Sequence, residues 1–189
     1  MMKQQASASL VEKIMTKFAR LTGLSRSLQE ELTKMENRAK YFEEWELGEV
    51  HESASRTVTE TDIGIFSGLS GDYNPLHTDE EFAKKGIFGT RVAHGYLVLS
   101  ISSGLIYQTG YFEGVLEAFL GMKEFRITKG VFPGDTIKTR FEVVGKRETK
   151  QGKGIITFKM DVLNQRNEIC QERLTTAMFK RKTMEPNPD

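Results

Sequence analysis

Asp72 and His77 lie five residues apart in the stretch SGDYNPLHTDEEF (Ser70 to Phe82), in a chain with only three histidines. A carboxylate and an imidazole within hydrogen-bond reach of one water form an acid–base pair. The carboxylate takes a proton, and the imidazole orients the water or returns a proton. The two side chains meet only if the segment turns back on itself, which Gly71, Asn74 and Pro75 all favour. Asn74 either holds a substrate group or fixes that turn. Taken alone, these residues also suit a plainer reading: Asp72 capping backbone N–H groups, His77 an ordinary loop histidine and Asp79 the cap of a following helical turn. A metal site would recruit Asp72, His77, Asp79 and His94, but no recognised ligand spacing appears, so neither metal nor cofactor is expected.

A second stretch, RVAHGYLVLSISSG, sets His94 and Gly95 at the start of a long apolar segment. If that segment is a helix, its first N–H groups and the positive end of its dipole can receive a developing oxyanion. Gly95 would let a ligand approach the backbone. A base-bearing loop beside a donor-bearing helix start is what the addition of water across a carbonyl-conjugated double bond requires, or its removal.

These groups need elements to hold them. Thr59 and Asp62 form a capping box before Ile63, Phe66 and Leu69, whose spacing of three predicts a short helix stopped at Gly71. Pro75 then keeps the loop out of helical geometry, and Asp79 to Lys84 forms one more turn or two. His94 to Gln108 is apolar on most of its circumference and reads, on length, as a helix buried all round. EVHESASRTV reads as one strand before it, with His51 exposed on that strand. Four strands follow, at Leu116–Ile127, Thr136–Gly145, Gly154–Leu163 and Ile169–Lys180, separated by FPGD, TKQGKG and NQRN. Phe66, Leu97, Ile101 and Leu105 are read as core. The expected fold is α+β, a curved antiparallel sheet wrapped around one central helix.

The composition narrows the function. With 189 residues, 38% hydrophobic and 28% charged, the chain can bury a substantial core. A net charge of +1, spread along the sequence, gives no reason to expect a nucleic-acid partner. Cys170 is the single cysteine, so no intrachain disulfide or redox pair forms, which suits a cytoplasmic setting. No apolar run is long enough to span a bilayer, and no signal peptide is evident.

Residues 1–40 differ from the rest, with eight Lys or Arg against four Glu. Leu10, Ile14 and Phe18, then Leu28, Leu32 and Met35 after a Ser27–Glu30 capping box, describe two amphipathic helices. They are read as an N-terminal helical extension packed on the body or on a partner subunit. A membrane-surface helix and a transit peptide are the alternatives.

FSGLSGDYNPLHTD, GTRVAHGYLVLSISSGL and VFPGDTI, in that order, resemble the MaoC-like hydratases. This hot-dog-fold family includes (R)-specific enoyl-CoA hydratases and 3-hydroxyacyl-thioester dehydratases. The resemblance covers residues 41–182, leaving 183–189 as a tail. It implies Asp72 and His77 as the catalytic pair, Gly95 as backbone donor to the thioester oxygen, and Asn74 and Ser103 as substrate-binding groups. His94 matches the family's HG pair and is read as holding the helix start. The implied reaction is reversible hydration of a trans-2-enoyl thioester, carried on CoA or acyl-carrier protein, to an (R)-3-hydroxyacyl thioester by a homodimer. A hot-dog thioesterase and a non-catalytic acyl-thioester-binding protein are the rival functions.

Overall fold

The computed structural model describes residues 38–182. The expected N-terminal helices, apart from their last residues, and the tail 183–189 lie outside this range. A 3-10 turn at Phe42–Glu44 leads to β1 (Val50–Glu52) and β2 (Arg56–Thr57). Three helices follow, α1 (Glu60–Ser70), α2 (Pro75–Thr78) and α3 (Glu80–Ala83), and then the central α4 (Gly95–Tyr107). The chain finishes with β3 (Leu116–Ile127), β4 (Thr136–Glu148), β5 (Gly154–Leu163) and β6 (Ile169–Phe179). The sheet runs β1-β4-β5-β6-β3, antiparallel throughout, with β2 also paired to β4. Among the described residues, no helix is long and apolar enough to cross a membrane.

The expected hot-dog arrangement is present. Alternation on the strands sends Ile137, Phe141 and Val143 of β4, Ile156, Phe158 and Val162 of β5, and Ala177 and Phe179 of β6 into the interior. Facing them, α4 buries Leu97, Val98, Ile101, Leu105 and Ile106. Each of these Val, Leu, Ile and Phe side chains contributes about 1.5–3 kcal/mol on burial. The helix was recognised by length because its polar interruptions are small. One of them, Ser102, is itself buried and accepts hydrogen bonds from Thr139 Oγ1 (2.8 Å) and Arg173 Nη2 (2.9 Å).

Three sequence expectations need correction. The single strand at Glu49–Val58 is two short ones, because Ser53 bonds across to Thr139 through both its backbone N–H and its Oγ before β2 pairs further along β4. His51 is not exposed. It pairs in register with Phe141 and lies against Trp45 and Tyr111, with Nε2 2.6 Å from Glu49 Oε1. Pro75 ends no helical path here but starts one: it occupies the first turn of α2, where its missing N–H costs nothing.

Candidate functional site

The loop that carries Asp72 and His77 is shaped by short-range chemistry that the sequence specifies. The Thr59–Asp62 capping box starts α1, and Gly71, in the left-handed region at φ 77°, stops it with its N–H on Ser67 O. Asp72 Oδ1 then accepts from Asn74 N (3.2 Å), and Asn74 Oδ1 caps α2 at Leu76 N (3.0 Å). Asn74 therefore fixes the turn with its oxygen. Asp79, one of the four ligands of the metal reading, instead caps α3 at Phe82 N (3.0 Å). Arg91 braces the outside, reaching Glu60 with both terminal nitrogens (2.9 and 2.8 Å) and Glu80 with Nε (3.2 Å). The first turn of α1, the start of α3 and the strand-like approach to α4 are thereby tied together.

The turn does bring the pair together. A carboxylate oxygen of Asp72 and one nitrogen each of His77 and His94 all lie within 4.8 Å of one another. Asp72 is exposed, whereas His77 and His94 are 9% and 2% exposed. The two imidazoles stack, with ring centroids 3.7 Å apart and planes at 30°.

Hydrogen bonding assigns the protons. His77 Nδ1 lies 2.6 Å from Val92 O. A carbonyl only accepts, so Nδ1 carries the hydrogen, and Nε2 of the neutral ring keeps the lone pair. His94 Nε2 likewise donates to Asp72 O (3.0 Å), with Ser67 Oγ at 3.4 Å. His94, read as holding the helix start, makes no side-chain cap bond to α4 and instead holds the backbone of the Asp72 loop.

The three groups are close enough for a metal, but the stacking argues against one. Ligating lone pairs lie in the ring planes, and rings facing each other at 3.7 Å with planes at 30° are poorly placed to direct both such pairs at one ion. The arrangement suits a water that donates to His77 Nε2 and to Asp72.

Gly95 is the first residue of α4, next to His94. Its carbonyl accepts from Gln171 Nε2 (2.8 Å). A Cβ there would stand 2.4 Å from Ile127 Cδ1 of β3, so a larger residue would have to displace the end of that side chain. Ser103 is not brought to the pair. It lies eight residues beyond Gly95, about 12 Å along the helix, and lines a mostly apolar cavity of about 340 Å³ between α4 and the sheet. Leu99, Phe119, Met122, Met160 and Arg173 share that cavity.

Sequence reasoning missed Val92 and Ser67, whose roles depend on folding across 15 and 27 residues. It also missed Arg173, for which a signal existed: Arg173 has the same strand parity as Ala177 and Phe179, the buried side of β6.

Comparison with known proteins places this geometry in context. A model of the MaoC like domain matches residues 43–163. Over 110 residues the chain is 42% identical to Protein MaoC of Klebsiella aerogenes, spanning 58% of this chain and 32% of that protein. It is 41% identical over 66 residues to the (R)-specific enoyl-CoA hydratase of Rhodospirillum rubrum, 35% of this chain and 45% of that one. The matched region is thus less than half the length of either relative. The X-ray structure of a monoamine oxidase regulatory protein from Archaeoglobus fulgius aligns with a TM-score of 0.73 at 44% identity, covering 77% of this chain and 97% of that one.

Proposed function

As the chain belongs to the MaoC-like domain family, we propose that it adds water reversibly across a trans-2-enoyl thioester, giving a 3-hydroxyacyl thioester. The observation that carries this reading is the fixed tautomer of His77, whose Nδ1 donates to Val92 O and leaves Nε2 free to accept, in a ring with one nitrogen within 4.8 Å of an Asp72 carboxylate oxygen. Water donates one hydrogen to each. As its oxygen attacks C3, its proton passes to the pair, and the pair returns a proton to C2, so the site ends as it began. The negative charge that develops on the thioester oxygen is met by Gly95 N–H at the start of α4. The R configuration at C3 follows from the family resemblance.

Loss of the enoyl-thioester absorbance on adding enzyme to a chain-length series of enoyl-CoA substrates tests the reading. Release of free thiol from saturated acyl-CoA without any hydration would replace it with thioester hydrolysis. Binding without turnover would replace it with a sensing role.

The Gly95 assignment has its own test. Gly95→Val is expected to lower both the melting temperature and kcat/KM, the latter by roughly 10²-fold, the usual worth of a lost oxyanion donor. Adding Ile127→Ala makes room for the new side chain and should recover the melting temperature while leaving kcat/KM low. Full recovery of kcat/KM in the double variant would show that Gly95 serves only to accommodate Ile127.

The same reading includes a second copy. β3 lies at the edge of the sheet and exposes Phe119 (64%), Leu120 (47%) and Ile127 (57%), apolar surface that a second chain paired to this edge would cover in part. Light scattering should give a dimer mass, and a Phe119→Lys variant should lower it.

A further inference from the structure

Arg173 sits in the middle of β6, 4% exposed, on the face that looks toward α4. Its Nη2 donates to Ser102 Oγ, but Nη1 has no partner among the described residues, nor has Thr175 Oγ1 on the same face of the same strand. No carboxylate among the described residues forms an ion pair with it. Asp161 belongs to the opposite face, in register with Arg140 and Glu172, and bonds Arg140 at 2.7 Å. Burial pushes the Arg173 guanidinium down to about 10, with the Asp161 charge acting the other way, so the group remains a cation at neutral pH. A buried cation without a directly paired carboxylate is a costly arrangement in a protein interior. Anchoring α4 does not require it, because Thr139 Oγ1 already reaches Ser102. Both Arg173 and Thr175 line the cavity that holds Ser103, otherwise walled by Leu99, Phe119, Met122 and Met160.

The position fits a reaction at Gly95. Ser102, which Arg173 contacts, lies seven residues along α4, about 10 Å from the oxyanion donor. An acyl chain held by its carbonyl at Gly95 and laid along the helix would bring its far end to the guanidinium.

Building on the hydratase reading, we propose that this cavity takes the acyl chain and that Arg173, with Thr175, selects enoyl thioesters whose chain carries a carboxylate over those ending in a methyl group. A guanidinium recognises a carboxylate with paired, charge-assisted hydrogen bonds, and a site built for such a partner discriminates strongly against an analogue that lacks it.

The test compares kcat/KM for methyl-ended enoyl-CoA substrates with that for their carboxyl-ended counterparts across a series of lengths. The wild type should favour the carboxyl-ended chain at least tenfold at one length. Arg173→Met should reverse that preference, and Arg173→Lys should keep its sign at reduced size, a pattern that loss of packing alone does not produce. If Arg173→Met does not fold, Thr175→Val serves instead and should lower the ratio of kcat/KM for carboxyl-ended over methyl-ended chains. A wild type with no preference at any length, or a ratio unchanged in the variants, overturns the proposal. Calorimetric binding of saturated carboxyl-ended and methyl-ended acyl-CoA is measured in parallel. Absence of hydration on every substrate refutes the hydratase reading alone. Selective binding that disappears in Arg173→Met still supports the carboxylate site, and equal binding of both ligands overturns it.

Discussion

Asp72→Asn and His77→Ala are each expected to lower kcat for enoyl-thioester hydration by roughly 10²- to 10⁴-fold, the usual worth of a positioned acid or base. Asp72→Asn is the cleaner of the two. The amide keeps an oxygen that can accept from Asn74 N, so the loop holds its shape while the group loses its charge and its ability to take a proton. His77→Ala also removes the bond to Val92 O and the stack on His94, so some loss of stability should accompany the loss of rate. The double variant should cost little more than the worse single one, because groups that share one water act as a unit. Near-normal turnover in folded Asp72→Asn would remove the carboxylate from the mechanism.

Trp45→Ala is expected to destabilise the protein by about 3–5 kcal/mol, measured as a shift in the urea unfolding transition. Trp45 is 1% exposed, its Nε1 donates to Lys40 O (3.1 Å), and its ring meets Phe112, Phe158 and Phe179 at centroid distances of 5.6, 5.1 and 5.9 Å. Removing it opens a cavity among aromatic rings that cannot close over the space. A loss below about 1 kcal/mol would show that these rings repack freely. The same contacts bear on truncation. A chain beginning at Lys40 retains Trp45 and its acceptor, and should therefore fold and hydrate a short enoyl-CoA. Insolubility of that chain would place residues before Lys40 in the core.

What could be read from the sequence was what depends on near neighbours. The Thr59–Asp62 box, the Gly71 stop and the Asp79 cap each act within three or four residues, and each stands where it was expected. The four later strands were legible because alternation is a local pattern, although β4 runs on to Glu148, three residues beyond the expected Gly145. Two of the misreadings, the single first strand and the exposed His51, turn on partners distant in sequence. His51 is covered only because β1 pairs with β4 and sets it opposite Phe141. Pro75 looked like a breaker because its effect on the preceding residues is easier to see than its fitness for the first turn of a helix. In the site, the pairing of Asp72 with His77 could be anticipated from turn chemistry. The orientation of His77 could not, since it depends on a carbonyl fifteen residues on. Ser103 was assigned to substrate binding by resemblance, and it lines the cavity between α4 and the sheet.

The first and last parts of this domain are stitched together. Phe42 donates its N–H to Lys180 O (3.0 Å), and Arg181 Nε reaches Glu43 across 138 positions (2.7 Å). Ribosomes deliver chains in order, so Phe42 and Trp45 emerge long before Phe179, the ring that completes their pocket. At about 5–20 residues per second, that interval is on the order of ten seconds. During it, a nascent chain displays an unfinished aromatic surface whose native cover has not been synthesised. Closing so long a loop also comes late on entropic grounds. Synthesis of this protein should therefore be most dependent on chaperones before β6 emerges, and slowing translation upstream of Ile169 should lower the yield of soluble product.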